Sequence, residues 1–133
     1  MLTLDSSGLY ALLDRRDLHH RQARAALDAD PGPFLMPMGI LAEIGYLVEK
    51  RLGPRVLDIF LRDLVEGGFA VECGEEDLER AQQVMDRYKQ LPLGVADALV
   101  IACAERNGGR VLSFDFRHFG VVAGDGLLEL VGV

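Results

Sequence analysis

Four of the 21 acidic residues occupy positions that are not typical of a solvated surface charge and are therefore candidates for a functional site. Asp5 and Asp115 each follow directly after a short apolar run that predicts a β-strand. Glu43 and Asp97 lie inside the apolar stripes of predicted helices, where an ionised carboxylate carries a large desolvation penalty unless something compensates it. The carboxyl ends of parallel strands form the ligand-binding edge of an open α/β sheet, and both helices begin near that edge. We therefore expect all four side chains to converge there.

Convergence of these carboxylates implies a cation. Two negative charges about 4 Å apart repel by about 4 kcal/mol at an effective dielectric constant of about 20, so the site must take up a proton or a metal ion. All four candidate ligands are hard oxygens with no interleaved histidine or cysteine, which favours Mg²⁺ or Mn²⁺ over zinc. The hydroxyls of Ser6 and Ser113 are candidates to hydrogen-bond the carboxylates or a metal-bound water. The alternative is that each acid pairs with one of the twelve arginines.

The elements that must position these residues alternate along the chain as strand and helix. Apolar runs bounded by turn residues predict strands, and apolar residues at helical spacing predict the helices between them. The predicted strands are 2–4, 34–36, 69–72, 110–114 and 128–131; the first predicted helix begins near residue 6, and the others span 17–29, 38–52, 55–65, 75–90 and 95–107. Strands joined through helices pair in parallel by right-handed crossovers. We therefore expect an α/β fold, a three-layer α/β/α sandwich with a central, mostly parallel sheet, formed by residues 1–133 as a single domain.

Composition and charge exclude several classes of protein. Half of the 133 residues are hydrophobic and 26% are charged, which excludes a disordered chain. The net charge of −7 excludes a general basic coat for nucleic acid, so a polyanionic partner needs a local basic patch or bound cations. No apolar run approaches the roughly 18 residues that span a bilayer, and two cysteines are too few for a disulfide framework. We expect a cytoplasmic protein with no membrane partner.

A local basic patch is present where a predicted helix breaks at residues 53 and 54. Lys50, Arg51 and Arg55 cluster there and are candidates for phosphate contacts, with a solvated helix end as the alternative. His19 and His20 are adjacent on a predicted polar helix face. Because neighbours on a helix point about 100° apart, the two histidines form a poor chelate and are expected at the surface.

The order and spacing of the acidic motifs resemble those of the PIN domain family, and more narrowly of its VapC-type toxins. The resemblance covers essentially the whole chain. The segments that carry it are Leu4-Asp5-Ser6-Ser7, Ile40-Leu41-Ala42-Glu43-Ile44, Leu93-Gly94-Val95-Ala96-Asp97-Ala98-Leu99 and Val111-Leu112-Ser113-Phe114-Asp115-Phe116-Arg117-His118-Phe119. One departure is Arg117-His118, where related chains often carry another acid.

The resemblance implies a small parallel-sheet fold and a divalent-metal site made by Asp5, Glu43, Asp97 and Asp115. It further implies an endoribonuclease that hydrolyses RNA phosphodiester bonds as the toxin of a toxin–antitoxin pair, with a cognate antitoxin and a homodimer as expected partners. On this hypothesis Asp5, Asp97 and Asp115 are the principal ligands of Mg²⁺ or Mn²⁺. Glu43 is a direct or water-mediated ligand that orients the attacking water.

Two other functions stay open at this point. A phosphoacceptor receiver domain has a similar length and an acidic pocket, but its site needs adjacent acids after the first strand and a lysine near the last one. Here Asp5 is followed by serines, and no lysine lies beyond position 89. A PIN-like binding module whose acids are all paired with arginine would act only through a protein partner. The helices between residues 38 and 65 carry enough apolar residues for an interface, or for a well-filled core.

Overall fold

The computed structural model describes residues 1–132, and within them the chain forms five strands and seven α-helices. The strands are β1 (Leu2–Leu4), β2 (Phe34–Pro37), β3 (Ala70–Glu72), β4 (Arg110–Leu112) and β5 (Glu129–Val131). The helices are α1 (Ser6–Leu13), α2 (His20–Ala29), α3 (Leu41–Leu52), α4 (Pro54–Val65), α5 (Leu78–Arg87), α6 (Val95–Arg106) and α7 (Phe119–Gly124). Among these helices none is long and apolar enough to cross a membrane. Val133, the last residue of the expected domain, lies outside the described residues.

The five strands form one sheet in the order β3-β2-β1-β4-β5, and every neighbouring pair is parallel. Right-handed crossovers place α1 to α4 on one face of this sheet and α5 to α7 on the other. In agreement, α1 contacts α2 and α3, while α6 packs against α5 and lies across β1, β2 and β4. The predicted three-layer sandwich is confirmed, with a sheet that is parallel throughout its described strands.

The strand register fixes the edge at which a site can form. Strand β1 is buried over its whole length, and its last residue, Leu4, pairs with Leu112 at the end of β4. Asp5 and Ser113 are therefore the next residues of two adjacent strands. From β1 the chain crosses over to β2 on one side, while β4 pairs on the other side, so this point is the topological switch of the sheet. Crevices outside the carboxyl ends of strands at such a point are where open α/β sheets bind ligands.

Two glycines let other elements approach this edge closely. A Cβ on Gly8 in α1 would lie 2.4 Å from the carbonyl oxygen of Leu112, so only glycine allows the first turn of α1 to rest on the end of β4. A Cβ on Gly39 would lie 2.7 Å from Cδ1 of Leu99, in the contact between α6 and the 3₁₀ turn Met38–Ile40 that precedes α3. These contacts bring the starts of α1, α3 and α6 to one edge of the sheet.

Some helix boundaries differ from the predicted ones. The second helix begins at His20 rather than at Asp17, because the Asp17 carboxylate accepts the backbone N–H of His19 and holds a turn before the helix. The fifth helix ends at Arg87 rather than near residue 90. Helix α7 was not predicted, because six residues with two glycines carry too little periodic signal.

Helices α3 and α4 divide their apolar side chains between the core and the surface. Val48 and Phe60 are fully buried, whereas Tyr46, Ile59 and Val65 are 61%, 51% and 88% exposed. The helix pair therefore fills part of the core and also leaves an apolar surface. The sequence had left a well-filled core and an interface as alternatives; the core is confirmed for the buried residues, and the interface stays a prediction.

Candidate active site

A cavity of about 470 Å³ opens beside the ends of β1 and β4. The four acids singled out in the sequence all line it. Its lining residues are Asp5, Ser6, Ser7, Tyr10, Asp17, His19, Glu43, Leu47, Arg51, Asp97, Phe114, Asp115 and His118. The structure thus brings together carboxylates from positions 5, 43, 97 and 115, at the edge where the sequence placed them.

Asp5 is the most buried of the four acids, with 3% of its surface exposed. Its Oδ1 accepts the backbone N–H of Gly8 at 2.7 Å, which caps α1, and its Oδ2 accepts the hydroxyl of Ser113 at 2.6 Å. The hydroxyl of Ser7 lies 2.8 Å from Oδ1 and 3.1 Å from Oδ2. Burial raises the pKa of Asp5 to about 6, although all three of these hydrogen-bond donors oppose the shift.

Asp97, Asp115 and His118 form the second part of the site, with one ligand atom from each lying within 4.8 Å of the others. His118 Nδ1 lies 3.0 Å from Oδ2 of Asp115 and 3.7 Å from Oδ2 of Asp97. Partial burial raises the pKa of Asp97, and the charge of Asp115 adds to the shift while His118 opposes it. The two carboxylates therefore repel each other at a separation where a shared cation would stabilise both.

Glu43 completes the set from the first turn of α3. It is the most exposed of the four acids, and the hydroxyl of Ser6 donates to its Oε1 at 3.1 Å. Its charge contributes to the raised pKa of Asp97. Because Ser113 donates to Asp5, each of the two predicted hydroxyls holds one carboxylate of the site.

Within residues 1–132, the four carboxylates have no arginine or lysine partner, since no side-chain nitrogen of either type lies within 4.0 Å of their oxygens. Several arginines instead pair with other acids, as in Arg80 with Glu105, Arg106 with Asp77 and Arg110 with Asp30. The pairing of each acid with its own guanidinium, which the sequence left open, is absent from the described residues. Apart from the imidazole of His118 beside Asp97 and Asp115, the donors are carboxylate oxygens, which suit Mg²⁺ or Mn²⁺.

One of the three basic residues proposed from the sequence reaches the cavity. Arg51 lines it, with its guanidinium over the ring of Tyr10 at 5.4 Å from the ring centre. Lys50 lies over the ring of Tyr46, and Arg55 is exposed near the start of α4. Neither Lys50 nor Arg55 is among the described lining residues.

Sequence reasoning missed two residues that hold the carboxylates in place. Ser7 donates to Asp5 and accepts the backbone N–H of Phe114 at 2.9 Å, so it ties the chain after β1 to the chain after β4. His118 contacts Asp115 at a spacing of three residues. Residues three apart contact each other only in a helical turn. Because no helix was predicted after Asp115, nothing in the sequence indicated this contact.

The sequence predicted that the adjacent histidines lie at the surface on one polar helix face. That prediction is wrong, because only His20 is in the helix and both side chains are partly buried. His19 precedes α2, lines the cavity and stacks on the ring of Phe114. The Nδ1 of His20 lies 2.7 Å from the carbonyl oxygen of Ala11. The two rings therefore have separate partners. They do not share a helix face, because the turn that Asp17 holds keeps His19 outside α2.

Comparison with known proteins shows one family over nearly the whole chain. The PIN domain family matches residues 2–124. Ribonuclease VapC26 of Mycobacterium tuberculosis is 29% identical over 120 residues, which cover 89% of each chain. The crystal structure of VapC20, a Sarcin-Ricin loop cleaving toxin of M. tuberculosis, is similar with a TM-score of 0.81 at 22% identity, covering 92% of this chain and 95% of that one. A toxin–antitoxin complex from Klebsiella pneumoniae gives a TM-score of 0.72 at 20% identity, covering 98% and 96%. At these identities the two structures show a shared fold.

Proposed function

Because the chain belongs to the PIN domain family, we propose that its cavity is the active site of a divalent-metal-dependent endoribonuclease and that the protein is the toxin of a toxin–antitoxin pair. One observation carries the proposal: four carboxylates from distant positions share a cavity and have no arginine or lysine partner among the described residues. The names of relatives support it, since VapC26 is a ribonuclease and VapC20 a toxin that cleaves the Sarcin-Ricin loop. The match to the PIN family gives no support to a phosphoacceptor receiver domain.

In this proposal Asp5, Asp97 and Asp115 hold Mg²⁺ or Mn²⁺, with Glu43 as a direct or water-mediated ligand. A bound ion of this type lowers the pKa of a water ligand, neutralises the scissile phosphate and stabilises the charge that develops during in-line attack. The raised pKa values of Asp5 and Asp97 support the assignment, because they mark carboxylates whose burial outweighs the hydrogen bonds and charges that favour the ionised form.

The chain's own groups then orient the ligands and the substrate. Ser113 and Ser7 donate to Asp5, so its carboxylate is held in one orientation. Ser6 holds Oε1 of the exposed Glu43, which suits this carboxylate to accept a hydrogen bond from the attacking water and so to orient it. Arg51 supplies the guanidinium that binds a backbone phosphate at the cavity. Lys50 and Arg55 stay predictions for phosphates farther along the RNA.

A cognate antitoxin and a homodimer are the proposed protein partners. The K. pneumoniae neighbour is a toxin–antitoxin complex, which supports a partner of that kind. The exposed side chains of Tyr46, Ile59 and Val65 on α3 and α4 offer an apolar surface for such a contact.

The proposed activity is tested by cleavage of a pool of end-labelled RNA in Mn²⁺ and in EDTA. We expect cleavage only with the metal, and we expect Asp97→Asn to lower turnover about 100-fold or more, because it removes a charged group from the reacting centre. Asp63→Asn is the matched control, since Asp63 is an exposed acid of α4 outside the cavity lining. Full turnover by Asp97→Asn would remove this residue from the mechanism.

A further inference from the structure

A stacked pair of aromatic rings forms part of the cavity wall. The ring of His19 lies parallel to that of Phe114, with 4.4 Å between ring centres and 4° between ring planes. Both residues line the cavity that contains the four acids. Both are only partly buried, so the pair is not enclosed in the core. A flat ring pair on a cavity wall is a surface on which a further flat ring can stack.

This ring pair is held in place from both sides. The carboxylate of Asp17 accepts the backbone N–H of His19 at 2.9 Å, which fixes the turn before α2. The backbone N–H of Phe114 donates to the hydroxyl of Ser7, and the same hydroxyl donates to Asp5 at 2.8 Å. One serine therefore connects the aromatic wall to the most buried acid of the site. A surface that is already ordered in this way loses little conformational entropy when a ligand binds.

A third ring adds to the platform from outside the cavity. Phe116 meets the ring of Phe114 edge-on, with 90° between planes and 6.4 Å between centres, and is 43% exposed. An exposed aromatic side chain costs free energy in water, so Phe116 beside the partly buried rings of the cavity wall favours a ligand with a flat apolar face.

The cavity therefore offers three kinds of group to a nucleotide. The acids suit a metal ion, and Arg51 suits a phosphate. The pair of His19 and Phe114 suits the remaining part, the base, because every nucleobase has a π-face that stacks on aromatic rings. Neither the ribose nor the phosphate of an RNA chain has a flat aromatic face that could stack on these rings.

We propose that His19 and Phe114 form a stacking platform that positions a nucleobase next to the scissile phosphate. This inference rests on the proposed ribonuclease function and assigns to its substrate two binding residues besides the four acids. Stacking tolerates different bases, so the platform positions a nucleotide without selecting one sequence.

The test measures binding of a single-stranded oligouridine of eight nucleotides, in which one 2-aminopurine is placed at each position in turn. The wild-type chain is used in Ca²⁺, a hard cation that the four acids can hold in place of Mn²⁺, and gel analysis checks that the oligouridine stays intact. We expect the fluorescence of 2-aminopurine to be quenched at one or two positions. His19→Leu should weaken binding about 5- to 150-fold, the range that loss of one stacked base corresponds to, and should remove the quenching.

Two further variants separate stacking from other roles. His19→Phe keeps a flat ring but has no ring nitrogen, so it should retain binding and quenching, whereas a role in charge or proton transfer would be lost. Leu18→Ala is the matched control, because Leu18 is the adjacent residue, is 86% exposed and does not line the cavity. Phe114→Leu and Phe114→Tyr repeat the comparison on the other ring, with thermal melting as the check on folding.

The outcomes also separate this proposal from the ribonuclease proposal. Unchanged binding by both His19→Leu and Phe114→Leu, loss of binding by His19→Phe, or no binding of the oligouridine at all would each overturn the platform. If the wild-type chain nevertheless cleaves RNA with Mn²⁺, the ribonuclease proposal stands alone. If the leucine variants lose binding as expected while no RNA is cleaved, the platform stands as an RNA-binding site and the ribonuclease proposal fails.

Discussion

Asp5 receives hydrogen bonds from Gly8, Ser7 and Ser113, yet burial still raises the pKa of its carboxyl to about 6. A buried carboxylate without a cation is costly to a fold, which supports our proposal that Asp5 binds a metal ion. At the scale of residues, the sequence identified the four acids because two follow directly after predicted strands and two lie in the apolar stripes of predicted helices. It proposed Ser113 as a hydrogen-bond donor but did not identify Asp5 as its partner, because this bond joins positions 108 apart and depends on the pairing of β1 with β4.

The raised pKa of Asp5 makes the stability of the metal-free protein depend on pH. The pKa of this carboxyl is 3.8 in the unfolded chain and about 6 in the folded one. At pH values between these two, the folded protein therefore binds more protons than the unfolded chain. The contribution of this group to stability therefore falls as pH rises from about 4 to about 6, by up to about 3 kcal/mol, and stays low at higher pH.

We predict that Asp5→Asn stabilises the metal-free protein. Asparagine is also a good N-cap, so α1 keeps its cap while the ionised group is removed. In EDTA at pH 8 the free energy of unfolding should rise by about 1–3 kcal/mol relative to wild type, and the gain should shrink toward pH 4. Urea denaturation at pH 4, 6 and 8 measures this difference. Because the side-chain amide nitrogen of asparagine cannot accept the hydroxyl proton of Ser113, the pH dependence is the decisive readout: a difference between the two proteins that does not change between pH 4 and pH 8 would show that the ionised Asp5 is not strained.

At the scale of elements, the site depends on short strands and on helices that start close to their ends. The sequence predicted all five strands and most helices, because buried apolar runs and helical periodicity are strong local signals. It misplaced the start of α2 and missed α7, where hydrogen bonds of single side chains and short length decide the structure. The strand order and the close approach of α1 to β4 are tertiary features, and no local pattern encodes them.

We predict that Gly8→Ala disrupts the edge of the site. The new Cβ would lie 2.4 Å from the backbone oxygen of Leu112, so α1 and β4 must separate and the Gly8–Asp5 hydrogen bond must lengthen. Overpacking of this kind costs about 1–3 kcal/mol. Gly124→Ala is the control, because Gly124 is also helical and has open space around its Cβ position. Thermal melting compares the two, and equal melting temperatures would refute the tight contact.

For the molecule as a whole, the net charge of −7 opposes the approach of RNA, and the proposed site is itself acidic. Arg51 alone among the described arginines and lysines lines the cavity. A bound dication therefore has two uses in this chain, since it relieves repulsion among the carboxylates and supplies the positive charge that the surface lacks. Sequence composition predicted that a polyanionic partner needs either a local basic patch or bound cations, whereas the cavity and its aromatic wall depend on the fold.

We predict that Mn²⁺ raises the melting temperature of the wild-type protein, because an ion that binds only the folded state stabilises it. At about 100 times its Kd the ion contributes about 2.7 kcal/mol, which corresponds to a shift of several degrees for a chain of this size. Asp97→Asn should lose most of this shift, and Asp63→Asn should keep it. Differential scanning fluorimetry across a Mn²⁺ titration makes the comparison, and an equal shift in both variants would place the ion elsewhere.

The location of the ion is the most direct test of the central claim, that the fold gathers four remote acids to bind one hard dication or two. Crystals soaked in Mn²⁺ should show anomalous scattering inside the cavity, with carboxylate oxygens of Asp5, Asp97 and Asp115 as ligands and Glu43 direct or through water. A cavity with no anomalous signal at saturating Mn²⁺, or a signal only at other acids, would contradict the account.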